Sequence, residues 1–168
     1  MGYTEAGENY SSKQPSAYFK IHNDGTCELI INNFSGDELR IPELSLWGLR
    51  VIAIELKQRT TFKKIFIPKT LKFISFITAA CYEVEIDPQN PYFSVFDGVV
   101  FDKEMKTLIY CPLGKTGKFI APASVRTIKD SAFSYEDCNL REVVFQEGLK
   151  EVEEPCSLYG PKIVTLKL

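Results

Sequence analysis

The sequence is poor in the residues on which most enzyme chemistry rests. Its 168 residues include one histidine, His22, and five cysteines with no C-x-x-C pair. A catalytic triad needs a histidine that can relay a proton. His22 lies in the turn His22-Asn23-Asp24-Gly25 and reads as a solvated turn residue. Cys27, Cys81, Cys111, Cys138 and Cys156 are too scattered for a zinc knuckle or a paired disulfide framework. They read as small buried hydrophobes. No apolar run reaches the roughly 18 residues of a membrane-spanning helix; the longest cluster, Phe73 to Cys81, is broken by Ser75 and Thr78. Charge is nearly balanced, 20 basic against 22 acidic residues, with no Lys/Arg block. The electrostatic footprint of a nucleic-acid binder is therefore missing.

The remaining chemical motifs are weak. Glu151, Glu153 and Glu154 could supply acid–base chemistry, but they sit on a charged, outward segment. Asp87, Asn90, Asp97 and Asp102 lack the spacing of an ordered calcium loop. Gly114-Lys115-Thr116 lacks the upstream glycine of a phosphate loop and follows a hairpin instead of opening a helix. No catalytic residue, metal site or cofactor is expected.

What the sequence does contain is a repeat. The stretch Ala121–Phe145 carries a proline, then Val125 and Ile128, Ala132 and Phe133, and finally Leu140, Val143 and Phe145. Similar signals recur before and after it, as expected of a solenoid in which each unit covers the apolar face of the next. Aligned, they give six rungs: Leu39-Arg40-Ile41, Ile65-Phe66-Ile67, Val84-Glu85-Ile86, Phe119-Ile120-Ala121, Val143-Val144-Phe145 and Leu166-Lys167-Leu168. The flanking residues are apolar and the middle one varies, which is the period-two signature of a strand with one face inward. Second apolar pairs follow at Leu49/Ile52, Leu71/Ile74, Val125/Ile128 and Leu149/Val152. Leu71, Ile74, Val125, Ile128, Leu140, Val143 and Phe145 are expected to be buried. A helix of one or two turns is expected at about Lys129 to Tyr135.

The organisation follows in order. Residues 1–15 are a polar leader and residues 16–168 one repeat domain. Within it, residues 16–38 form a capping hairpin around Asp24-Gly25, and residues 39–168 hold about five to six repeats. An inserted hairpin is expected at about residues 87–118, with Val99–Phe101 paired antiparallel to Thr107–Tyr110. Met1-Gly2 leads into polar residues, so no secretory signal is read. The last apolar position, Leu168, has no polar cap after it. The expectation is a piece of a longer chain, able to self-associate through its open C-terminal rung.

Several motifs together resemble the BspA-like, treponemal-type leucine-rich repeats over about Tyr18 to Leu168. They are Asp24-Gly25-Thr26, Ile67-Pro68-x-x-Leu71-x-x-Ile74 and Asn90-Pro91-x-Phe93. With them come Asp97-Gly98-Val99-Val100-Phe101, Lys106-Thr107-Leu108-Ile109-Tyr110-x-Pro112-x-Gly114-Lys115 and Val125-x-x-Ile128-x-x-x-Ala132-Phe133-x-x-x-x-Cys138-x-Leu140. Two places depart from the pattern: Thr78-Ala79-Ala80-Cys81, and Pro155 with Ser157-Leu158. The resemblance implies a β-dominated α/β fold, a curved right-handed solenoid with a parallel sheet on one face. It implies a cell-surface or secreted protein of a host-associated bacterium that binds host proteins or cells and is not an enzyme. If Met1 is the native start, the location is cytoplasmic instead.

The outward rung positions, Arg40, Phe66, Glu85, Ile120, Val144 and Lys167, form the candidate protein-binding face. Three of the six are large and apolar, as at many protein contacts; the competing reading is that a loop or the N-terminal segment covers them. The expected partner is a protein ligand or a neighbouring domain, with neither nucleic acid nor membrane insertion. A structural spacer is the alternative, and a carbohydrate-processing domain using paired carboxylates is weaker still.

Overall fold

The computed structural model describes residues 3–5, 16–57, 60–75, 79–130, 132–133, 139–153 and 163–166. Within them every regular element is a strand. Strands β1 (Tyr3–Glu5), β2 (Ser16–Ile21) and β3 (Thr26–Asn33) form an antiparallel ribbon at the N-terminal end. Asp24 closes its second turn: its carboxylate accepts bonds from the Thr26 amide and hydroxyl, which hold the carboxyl below its ordinary range. Tyr3–Glu5, read from the sequence as leader, is thus a strand.

From β3 onward the chain alternates between two faces. One face runs parallel through β3, β5 (Arg50–Leu56) and β7 (Phe73–Ser75). The other runs parallel through β4 (Glu38–Arg40), β6 (Thr60–Ile67) and β8 (Ala79–Ile86). Then comes an antiparallel meander of β9 (Phe93–Phe96), β10 (Val99–Asp102) and β11 (Thr107–Tyr110). Parallel stacking resumes on both faces, as β12 (Gly117–Ile120), β14 (Leu140–Phe145) and β16 (Ile163–Leu166) and as β11, β13 (Thr127–Ile128) and β15 (Glu151–Val152). The result is a β-solenoid of about five turns with parallel sheets.

The core is divided by the meander. One cluster gathers Leu39, Ile65, Leu71 and Val84; the other gathers Phe119, Ile128, Val143 and Phe145. Strand β10 stands between them. Its side chains alternate, so Val100 enters the first cluster while Val99 and Phe101 enter the second, and all three are fully buried. The turn that makes this possible is Asp97-Gly98, with φ of 49° and 77°. Two successive left-handed residues match the twist of a two-residue hairpin, and glycine takes that conformation without a Cβ penalty.

The structure departs from the sequence expectations at definite points. No α component occurs among the described residues. Lys129, Asp130, Ala132 and Phe133 are not helical, because their backbone groups serve the neighbouring repeat: the Cys111 amide donates to the Ala132 carbonyl, and Phe133 bridges to Cys111. Residues 131, 134 and 135 lie outside the description. In the first repeat, Val51 and Ile54, not Leu49 and Ile52, occupy the inward pair, since Ile54 lies beside Ile74. The last rung is Val164-Thr165-Leu166, beside Val143-Val144-Phe145. Both shifts are of two residues, which preserves the inward–outward parity and so leaves no mark in the hydropathy pattern. Ile74 is only partly buried, because β7 is the edge strand of its sheet. The other six residues expected in the core are buried.

Truncation should separate core from surface. Leu71→Ala is expected to cost on the order of 2–5 kcal/mol through the cavity it leaves. Leu46→Ala, at a side chain 81% exposed, should stay within about 0.5 kcal/mol. Urea denaturation midpoints of the two variants check this; equal shifts would contradict the assigned register.

Candidate functional site

On the first ladder the register places Arg40 beside Phe66 and Phe66 beside Glu85. The aromatic ring is not left open. The Arg40 guanidinium lies 3.5 Å from its centroid and the Lys64 ammonium 5.0 Å away. Lys64 also reaches Glu83 and Glu85, each at 2.8 Å, and those carboxylates hold its ammonium above the ordinary lysine range. Arg40 pairs with Glu38 at 3.7 Å. This part of the face is a lattice of charge over one covered aromatic.

The other half differs. Ile120 is 50% exposed. Val144 is only 4% exposed, although its parity is outward. It lies on the middle strand, flanked by Ile120 and Thr165, so neighbours on both sides remove it from solvent. Thr165 takes the place assigned to Lys167, which lies outside the described residues. The two halves do not join, because β8 and β12 are not paired. Arg40, Phe66 and Glu85 form one group, Ile120 and Val144 a second.

A surface that sequence reading passed over lies on the loop leaving β4. Ser45 organises it. Its amide donates to the Leu49 carbonyl and its carbonyl accepts from the Gly48 amide, while its buried hydroxyl accepts from the Trp47 and Leu49 amides. Gly48, at φ 75°, completes the turn. The loop holds Leu44, Leu46 and Trp47 largely exposed. The Trp47 ring meets Phe19 edge-on at 6.1 Å, so it is fixed on one side and open on the other. The signal was available in the sequence: a single tryptophan between Ser45 and Gly48, next to two leucines outside the rung pattern.

Between β8 and β12 runs a seam with its own bonds. Asn90, fully buried, saturates its amide. Its Nδ2 donates to the Pro68 and Leu71 carbonyls at 2.8 and 3.1 Å, and its Oδ1 accepts from the Tyr92 and Phe93 amides. The Leu113 and Gly114 amides donate to the Cys81 and Tyr82 carbonyls. Gly114 is required there, since a Cβ would lie 2.3 Å from the Tyr82 carbonyl oxygen. The Cys81 amide donates to the Tyr110 hydroxyl at 2.9 Å. Beyond these bonds opens a cleft of about 370 Å³, lined by Glu83 to Pro88, Phe93 to Val95 and Lys103.

Among the described residues no nucleophile is armed near it. Burial pushes the Cys81 thiol up to about 11, so it stays protonated at neutral pH and a poor nucleophile. Cys27 and Cys111 are likewise buried; Cys138 and Cys156 lie outside the described residues. His22 sits in its turn, and Lys115 pairs with Asp97 at 2.6 Å instead of lining a phosphate loop. Glu153 pairs with Lys129 at 2.7 Å. Among the described residues no group of three His, Cys, Asp or Glu side chains could hold a metal ion, and no helix is long and apolar enough to cross a membrane.

This geometry has a counterpart among solved structures. The pneumococcal vaccine antigen PcpA superposes with a TM-score of 0.57 over 79% of this chain, at 18% identity. The two share a fold. A leucine-rich repeat protein from Eubacterium ventriosum aligns over 84% of the chain and 66% of its own, with 14% identity and a TM-score of 0.43. The chain spans 39% of the PcpA chain. No family model and no curated protein matches the sequence.

Two substitutions test the seam. Asn90→Ala strands two carbonyls and two amides and should cost on the order of 2–3 kcal/mol. Gly114→Ala forces the loop off β8 and should expose the Tyr82 carbonyl side of that strand. Thermal melts and amide exchange in β8 read both. Unchanged melting for Asn90→Ala would show that its bonds are not structural.

Proposed function

We propose that this chain is a BspA-like, treponemal-type leucine-rich-repeat module, coiled right-handed, that binds protein without catalysis. It serves adhesion to host proteins or cells as part of a cell-surface or secreted bacterial protein. The observation that carries this reading is the loop of Leu44, Leu46 and Trp47. A hydrogen-bonded turn that holds an exposed tryptophan and two exposed leucines has already lost the loop entropy that binding would otherwise cost. Tryptophan is also the side chain most enriched among binding hot spots. The loop follows β4, whose Arg40 opens the group it forms with Phe66 and Glu85; Ile120 and Val144 lie farther along the solenoid. The fold shared with PcpA supports a repeat scaffold.

One observation favours a spacer role for part of the molecule. The β4–β6–β8 face, with Phe66 covered and its charges internally paired, resembles a finished solvent face. On this reading the Trp47 loop, and not the ladder, makes the contact.

Beads coated with the folded chain should adhere to cultured epithelial cells, and protease treatment of the cells should abolish this. Leu46→Ala combined with Trp47→Ala should reduce adherence by about tenfold or more, equivalent to about 1.4 kcal/mol. Phe66→Ala should change it little. Equal adherence of the double variant and wild type would overturn the assignment, as would no adherence by wild type.

A further inference from the structure

The meander leaves one ladder unfinished. After β8 the chain moves into β9, β10 and β11, and rung stacking on that side resumes only at β12, so β8 is an edge strand. The direction of its free groups follows from the ladder. The Asp87 amide donates to the Ile67 carbonyl, so residues 87, 85 and 83 address β6. From Glu83 onward the alternating residues address the other side, where the Cys81 and Tyr82 carbonyls already accept from the Leu113 and Gly114 amides. By the same alternation Val84 and Ile86 turn their N–H and C=O groups toward the cleft. Among the described residues no strand pairs with β8 on this side.

The edge borders a cleft of about 370 Å³ with an apolar wall of Val84, Ile86, Phe93 and Val95. An edge strand beside a partly apolar cleft is how extended peptides are captured by strand addition, with main-chain bonds giving affinity and alternate side chains giving selection. Gly114 shows that the edge accepts such bonds, since its loop already supplies them at Tyr82.

The charges decide the guest. Glu83, Glu85 and Asp87 line the cleft together with Lys103, and Lys64 reaches the two glutamates. Both ammonium groups are engaged: Lys64 bonds to the two glutamates from the β6 side, and Lys103 donates to the Asn90 carbonyl at 2.8 Å. Lys64 therefore already shows the cross-strand pairing that β8 favours, and a guest on the opposite side would repeat it. A second copy of this chain is disfavoured, because its own β8 edge would set Glu83 and Glu85 against the same residues. The geometry points to the cleft beside β8 as a strand-addition site for an extended basic peptide, with apolar side chains turned inward and lysine or arginine turned outward.

In this ladder the outward residues of β8 donate to the inward residues of β6. The outward lysines of the guest would likewise donate to Val84 and Ile86. A fluorescein-labelled peptide Lys-Val-Lys-Val-Lys-Val is the probe, compared with its counterpart N-methylated at the lysine amides. The first should bind saturably by fluorescence anisotropy and slow amide exchange at Val84 and Ile86. The N-methylated peptide should bind at least about tenfold more weakly, and Glu83→Lys with Glu85→Lys should weaken the first peptide similarly. If the double variant fails to fold, the two peptides on wild type still decide. Equal binding of both peptides, no binding up to millimolar concentration, or exchange protection at another sheet edge would overturn the proposal. Leu46→Ala with Trp47→Ala should leave peptide binding unchanged, so the cleft stands or falls apart from the adhesive loop.

Discussion

Strand β10 has no solvent face. Most strands of a solenoid bury one side, but Val99, Val100 and Phe101 are all buried because each side of β10 meets a different core cluster. The two halves are otherwise separate: none of the four sheets is continued across the seam by a ladder. The coil is held together there by β10 side chains, by the Asn90 amide, by the Leu113 and Gly114 amides and by the Tyr110 hydroxyl. Apart from the Gly114–Tyr82 bond, which lies between exposed residues, these are buried polar bonds or apolar contacts that would be costly to leave unmade.

This constraint explains the surface as well as the core. A meander that fills the interior on one side interrupts the ladder on the other, and the interruption leaves both the β8 edge and the cleft. It also splits the outward column, so the repeats do not present one continuous binding face. The most exposed large apolar side chain among the described residues, Leu46, lies instead on the loop after β4, where Ser45 replaces ladder bonds with local ones. Repeat proteins commonly vary their loops while keeping their rungs, and function follows the variable part.

How much of this could be read from the sequence depends on what parity reveals. Leu39, Ile65, Val84, Phe119 and Val143 were legible as inward positions because alternation by two marks them directly. A two-residue slip keeps that alternation, so neither the pair Val51/Ile54 nor Thr165 in the last rung could be told from their neighbours. Strand β9 was hidden for another reason. Asn90 to Phe93 carry loop residues, and the stronger hint, Asp97-Gly98 between two apolar runs, goes unused when Val99–Phe101 is paired only with Thr107–Tyr110. Phe66 and Val144 looked exposed because parity reports direction and not cover: Arg40 lies over one, and flanking strands enclose the other. The Trp47 loop obeys no repeat rule, and repeat alignment passes over it.

If β10 couples the two cores, a cavity made on one side should be felt on both. Native-state hydrogen exchange of Phe101→Ala is the direct measurement, since that ring packs only in the second cluster. The expected loss, about 3–5 kcal/mol, should appear equally at Ile65 in β6 and at Val143 in β14, with a single unfolding transition. Loss confined to β12, β14 and β16, with β6 protected as in wild type, would show two independent stacks joined only by chain.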